Sequence, residues 1–93
     1  MFRIEALEID DHILDKIQSR HGVAFEELGE ACHSEHRHVR RGREGLYKVF
    51  GQIEAGRHLL VVLAWAGGVV WRVVTARDMT LQERRLYRRQ ARA

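Results

Sequence analysis

The sequence has no proline and only one cysteine, Cys32. Without proline no rigid linker is marked, and the turns fall to eight glycines. A lone cysteine has no disulfide partner in the chain, which points to a reducing, cytoplasmic compartment. Long apolar runs are missing too: the longest, Leu59–Ala66, holds eight residues, where a membrane span needs about 20. Met1–Asp10 carries acids and no apolar stretch, so no secretory leader is expected there. What remains is a chain of 93 residues, 45% hydrophobic and 31% charged. That is enough for one core and too short for two, so a single domain over residues 1–93 is expected.

Lysine is scarce as well, at two residues against fourteen arginines. Arginine's planar fork suits phosphate oxygens better than the point charge of lysine. The formal net charge of +3 hides a division: residues 1–35 sum to −6 and residues 36–93 to +9. Such asymmetry in one small domain predicts either a cationic face for a polyanion or a plain solvated basic surface.

Leu7–Arg20 reads as a first helix, with Asp10 or Asp11 as its cap, Ile13, Leu14 and Ile17 at helical spacing, and Gly22 as its stop. Val23–Cys32 reads as a second, with Phe25, Leu28 and Cys32 on one stripe. His33–Arg43 is a loop or an edge strand. Gly45–Ile53 alternates as a strand, Glu54-Ala55-Gly56 is a hairpin loop, and Arg57–Ala66 is apolar enough to be a central strand buried on both faces. Gly67-Gly68 reads as a two-residue turn into a last strand, Val69–Arg77. Thr80 and Glu83 then form a capping box that opens a third helix, ending near Arg92. The expected class is α+β: two N-terminal helices, a three- to four-stranded antiparallel sheet and a C-terminal helix.

Three basic groups stand out. On the C-terminal helix Arg84, Arg85, Arg88, Arg89 and Arg92 share one arc, with Leu86, Tyr87 and Ala91 opposite. The arc reads as a phosphate-contacting stripe or as a solvated face. Arg37, Arg40, Arg41 and Arg43, near Tyr47 and Lys48, can grip a strand and stack a base, or simply make an edge strand unsociable by charge. Arg72 and Arg77 interrupt an apolar strand, where strict alternation puts them on opposite faces, and each needs an anionic partner. For Arg77 the neighbouring Asp78 can be that partner, whereas Arg72 has none nearby in sequence. Cys32-His33-x-x-His36-x-His38 is too irregular for a tetrahedral metal set, and no metal or cofactor is expected. His21 is either a proton-transfer group or a charge at a helix end. No G-x-S-x-G, glycine-rich phosphate loop or H-E-x-x-H is present, which excludes hydrolases of those kinds.

Several segments together resemble the BrnT family: Arg20–Glu27, Gly51, Gly56-Arg57 leading into Leu60-Val61-Val62, Arg72–Arg77, and Glu83-Arg84-Arg85-x-Tyr87. The resemblance spans about residues 7–90. It implies a RelE-like fold and the toxin of a bacterial type II toxin–antitoxin pair, a metal-independent endoribonuclease that arrests translation. It also implies RNA as substrate and a cognate ribbon-helix-helix antitoxin as partner. Four positions depart from the family's pattern: Ile9 and Ile13 replace a tryptophan and a lysine, Leu46 an arginine after Arg43-Glu44, and Ala24 a Ser or Thr cap. An alternative therefore follows, a module of the same fold that binds RNA or antitoxin without cutting. The implied chemistry is attack of a ribose 2′-OH on the adjacent phosphate. It assigns charge stabilisation to Arg72 and Arg77 and leaves proton transfer among His21, Glu44, Tyr47 and Lys48. RNA contact is expected at Arg40, Arg41, Arg43, Arg84, Arg85, Arg88 and Arg89, with Tyr87 beside them.

Overall fold

The computed structural model describes residues 3–92, the last of them by its backbone only, so the Arg92 side chain of the expected stripe lies outside the described residues. The chain runs β1 (Ala6–Glu8), α1 (Asp11–His21), α2 (Phe25–Cys32), β2 (His38–Arg41), β3 (Leu46–Gln52), β4 (His58–Gly67), β5 (Val70–Asp78) and α3 (Leu81–Arg92). The strands form one sheet in the order β1-β5-β4-β3-β2. β2 to β5 are an antiparallel meander, and β1 lies parallel to β5, with Leu7 beside Trp71.

The class is α+β, with a strand more than the sequence suggests. The expected first helix divides at Asp10, whose extended backbone and carboxylate, accepting from the His12 N–H at 2.8 Å, start α1 at Asp11. The residues before it are thereby left extended and add β1 to the free edge of β5. Gly22 ends α1 in the left-handed region, as a C-terminal stop should. α2 begins at Phe25 rather than Val23, and the Glu27 carboxylate accepts from the Ala24 N–H at 2.9 Å where a hydroxyl cap is missing. The β4–β5 turn falls one residue later than expected, on Gly68 and Val69, because Gly67 stays in β4.

α1 and α2 cover one face of the sheet. Ile17, Val23, Leu28 and Ala31 pack there on Val49, Val61, Leu63 and Val73 in the larger core. Ile9 and Ile13 pack against the same core. α3 covers only part of the other face, where Tyr87 and Met79 meet Phe50 and Leu60. This partial cover explains why β4 is not buried on both faces throughout: Leu60 is buried beneath α3, but Val62 and Ala64 on the same face are only half-buried, and on the opposite face Trp65, near the hairpin, is 63% exposed.

α2 approaches β3 most closely at Gly51. A β-carbon there would overlap the Ala31 carbonyl and stand 2.8 Å from the Ser34 Oγ, which itself donates to that carbonyl. Gly51→Ala is expected to lower stability by about 2 kcal/mol, a fall of about 8–16 °C in Tm. Thermal unfolding followed by circular dichroism checks this, and an unchanged Tm contradicts the close approach.

Candidate functional site

The uncovered half of the α3 face is built by strand register and by one irregularity in β5. Thr75 pairs with Val62, but the next pair toward the hairpin is Val73 with Leu63, so Val74 is an extra residue, a β-bulge. The bulge reverses the alternation. Arg72, Thr75 and Arg77 therefore all share the face of Leu60 and Val62, and the expected placement of Arg72 and Arg77 on opposite faces is corrected. Across the sheet this face shows one row of Arg40, Lys48, Val62 and Thr75, and another of Leu46, Ala64, Arg72 and Glu8. A third row, His38, Phe50, Leu60 and Arg77, includes the residues beneath α3.

The rim beyond Lys48 is a tight turn. The Leu46 N–H donates to the Arg43 carbonyl at 3.0 Å, with both central residues at positive φ, Glu44 at 57° and Gly45 at 75°. This suits the twist of a hairpin, but a left-handed glutamate costs about 1–2 kcal/mol. A groove of about 560 Å³ lies inside the rim, lined by Arg41, Arg43, Glu44, Leu46, Lys48 and Val62. Arg40, Arg43, Glu44 and Lys48 are exposed and form no ion pair or side-chain hydrogen bond among the described residues. Arg41 also lies 5.9 Å over the Tyr47 ring. Unpaired cations beside an unpaired carboxylate can hold a phosphate and move a proton near it.

The other expected site residues are dispersed. Arg72 is on the open face and meets Glu8 at 3.2 Å, an exposed pair of small energetic worth. Arg77 is half-buried and occupied: its two Nη atoms donate to the Glu83 oxygens at 2.7 and 3.0 Å. Its partner is thus Glu83 and not Asp78, because Asp78 accepts from Arg57 Nε and Nη2 at 2.7 and 3.0 Å. Tyr47 faces the other way, its ring edge-on to Trp71 at 5.1 Å. His21 ends α1, where its carbonyl accepts from Arg57 at 2.6 Å. Tyr87 is buried under α3, opposite the arginines as the helical spacing predicts. Arg84 and Arg88 stand near His58 at the far end of β4 from the groove, while Arg85 and Arg89 are exposed.

Cys32 is buried, which pushes its thiol up to about 12. Both ring nitrogens of His33 meet backbone carbonyls, of Gly29 and Ile4, each at 2.8 Å. Among the described residues no group of three or more His, Cys, Asp or Glu side chains is placed to hold a metal ion, and no helix is long and apolar enough to cross a membrane. Sequence reasoning missed Thr75, whose place on the open face depends on the bulge, and Arg57, whose only signal was its company in a resembling segment.

No family model matches the chain, and no curated protein matches it. Among solved structures, the 1.1 Å crystal structure of the Brucella abortus ribonuclease toxin BrnT is similar, with a TM-score of 0.70 and 17% identity. The match covers 81% of this chain and 96% of that one. The chain therefore has the fold of that toxin.

Glu83 accepts from Arg77 and also from the backbone of Thr80 at 2.8 Å, while its own N–H donates to the Thr80 hydroxyl at 3.1 Å. The Arg77 guanidinium foremost holds the Glu83 carboxyl down at about 2. A carboxyl depressed by folding contributes stability above its unfolded pKa of about 4.3 and loses it as pH falls toward 2. Glu83→Gln is expected to cost about 1 kcal/mol at pH 7, kept small by solvent around Arg77, and to flatten the loss of stability between about pH 5 and 2. Urea unfolding across that range is the check, and parallel curves for both proteins contradict the pairing.

Proposed function

We propose that the chain is the toxin of a type II toxin–antitoxin pair, a metal-independent endoribonuclease that cuts RNA on the open half of the sheet and thereby inhibits translation. The observation that carries this reading is the uncovered sheet face, cationic at both margins through Arg40 and Lys48 on one side and Arg72 on the other. Its likeness in fold to a ribonuclease toxin supports the same reading. An RNA strand lies across Val62, Ala64 and Thr75, its phosphates drawn to the arginines. Glu44 takes the proton of the 2′-OH as its oxygen bonds to the phosphorus, and Lys48 with Arg43 holds the charge that develops on the phosphate. The P–O5′ bond breaks, leaving a 2′,3′-cyclic phosphate and a 5′-oxygen that takes its proton from water. Arg72 anchors the neighbouring phosphate after leaving its weak pair with Glu8. Arg77, engaged by Glu83, acts by fixing the first turn of α3. His21, Tyr47 and Tyr87 play no direct part. A cytoplasmic ribbon-helix-helix antitoxin neutralises the toxin by covering this face.

One observation favours a second reading. Leu46 gives the groove an apolar wall at the position where the BrnT family carries an arginine. A module that holds RNA or antitoxin without cutting fits that wall.

Induced expression in bacteria is expected to stop growth with fragmentation of RNA, and Arg72→Ala to relieve the arrest. Glu44→Gln and Lys48→Gln should each slow cleavage by about 10²-fold or more in a purified assay. Binding to single-stranded RNA should weaken with salt at a log–log slope of about −0.7 per phosphate held. Normal growth with folded protein present refutes the toxin reading, and RNA bound but left intact establishes the second.

A further inference from the structure

We propose that the cavity beside the start of α3, between the β3–β4 turn and the end of β5, is a second site, which binds a phosphate group. The cavity holds about 290 Å³ and is lined by Gly56, Arg57, His58, Asp78, Met79 and Arg84. That is the small end of the range for ligand sites. The proposal stands apart from the cleavage reading, since it needs only a phosphate ligand.

The charges around the cavity are unevenly matched. Arg57 is committed to Asp78 and to the carbonyls of His21 and Gly22, and Asp78 has both oxygens on Arg57. Arg84 and Arg88 form no ion pair and no side-chain hydrogen bond among the described residues. Arg84 also carries a buried Nε that has no acceptor among the described residues. Arg84 lines the cavity without an acceptor of its own among the described residues, and an anion there brings acceptors that the protein does not supply to its guanidinium.

His58 is the reporter of this site. It faces Arg84 and Arg88 from α3, Arg57 beside it, and Asp78 on β5, while β3 opposes it with the uncharged Gln52. Its ring stands edge-on to the buried Tyr87 at 5.7 Å. Burial first, then Arg88 and Arg84, pushes His58 below the usual histidine range. A bound phosphate opposes those arginines and favours the protonated imidazole, so binding strengthens as pH falls. The site is distinct from the groove: Val62 and His58 are about 13 Å apart along β4, and Leu60, between them, packs with Tyr87 of α3.

The phosphate can come from an RNA backbone or from a free phosphate, and the test separates these sources. The His58 imidazole is titrated by NMR in the full chain, alone, with inorganic phosphate and with a short oligouridylate. Either ligand is expected to raise the His58 midpoint by about one pH unit. Arg84→Gln and Arg88→Gln should each weaken binding about tenfold. A shift with the oligonucleotide alone assigns the site to RNA. A shift with inorganic phosphate that competes with the oligonucleotide assigns it to the free ion. Lys48→Gln, which addresses the groove, should leave the His58 shift intact, so cleavage and this site fail separately. If neither ligand moves His58, or the arginine variants bind as well as the parent while still folded by their NMR dispersion, the proposal is wrong.

Discussion

Four elements of this fold meet at one guanidinium. Arg57, just before β4, donates to the carbonyls of His21 and Gly22 at the end of α1 and to both Asp78 oxygens at the end of β5, and stands 3.5 Å from Glu27 in the first turn of α2. The carbonyls that α1 leaves open at its C-terminus thus gain a cationic donor, the arrangement a helix end favours. Glu27 serves twice, against Arg57 and against the Ala24 N–H that opens α2. Asp78 is held below the usual carboxylate range mainly by its hydrogen bond from Arg57. The larger core, through Ile17, Val23, Leu28 and Ala31, holds the helices on the sheet, and a single well-bonded arginine ties the ends of these elements together at its margin.

What Arg57 sets at Asp78, Glu83 carries forward into α3. The chain leaves β5 at Asp78 and re-enters a helix at Leu81, with the Met79 N–H donating to the His58 carbonyl at 3.0 Å. Arg77 then binds Glu83 from beneath the first turn, and Tyr87 docks a turn later. These contacts hold α3 over the row of Phe50 and Leu60, with Val62 of the next row packed at the margin of the cluster. The rows of Lys48 and of Leu46 are left open as a consequence. The exposed basic face is a result of where the helix is pinned.

Much of this order was legible in local chemistry. Gly22, the Thr80–Glu83 box, the glycine-punctuated meander and the arc opposite Tyr87 all follow from residues within one turn or hairpin of each other. What was not legible depends on partners far apart in the chain. β1 is three residues long and exists because β5 has a free edge, which propensity at Leu7 does not reveal. The bulge at Val74 leaves no composition cue, since Val-Val-Thr reads as unbroken alternation, yet it decides which face Arg77 occupies. Asp78 is adjacent to Arg77 in sequence but points its carboxylate to Arg57, twenty-one residues away. The candidate groove was half legible: Arg43, Glu44 and Lys48 are near in sequence and meet, while Tyr47, between them, turns to the other face because a strand alternates.

The segments that resemble the BrnT family divide in an instructive way. His21, Gly22 and Glu27 from the first segment, Arg57 from the third, and Arg77 with Glu83 from the last two all engage in the contacts that fix helices to the sheet. The groove draws mainly on residues outside those segments, chiefly Arg41, Arg43 and Lys48. A motif built from paired charges is specific because each member must find the other in three dimensions, and that specificity belongs to the fold. Charge that meets RNA has the opposite requirement: in the free protein it must stay unpaired, or be held only by a weak exposed pair such as that of Arg72 with Glu8. Among the described residues the cations without an ion pair include Arg40, Arg43 and Lys48 around the groove and Arg84, Arg85, Arg88 and Arg89 on α3, so a concentration of unpartnered charge marks where a polyanion can bind better than recurrent sequence does.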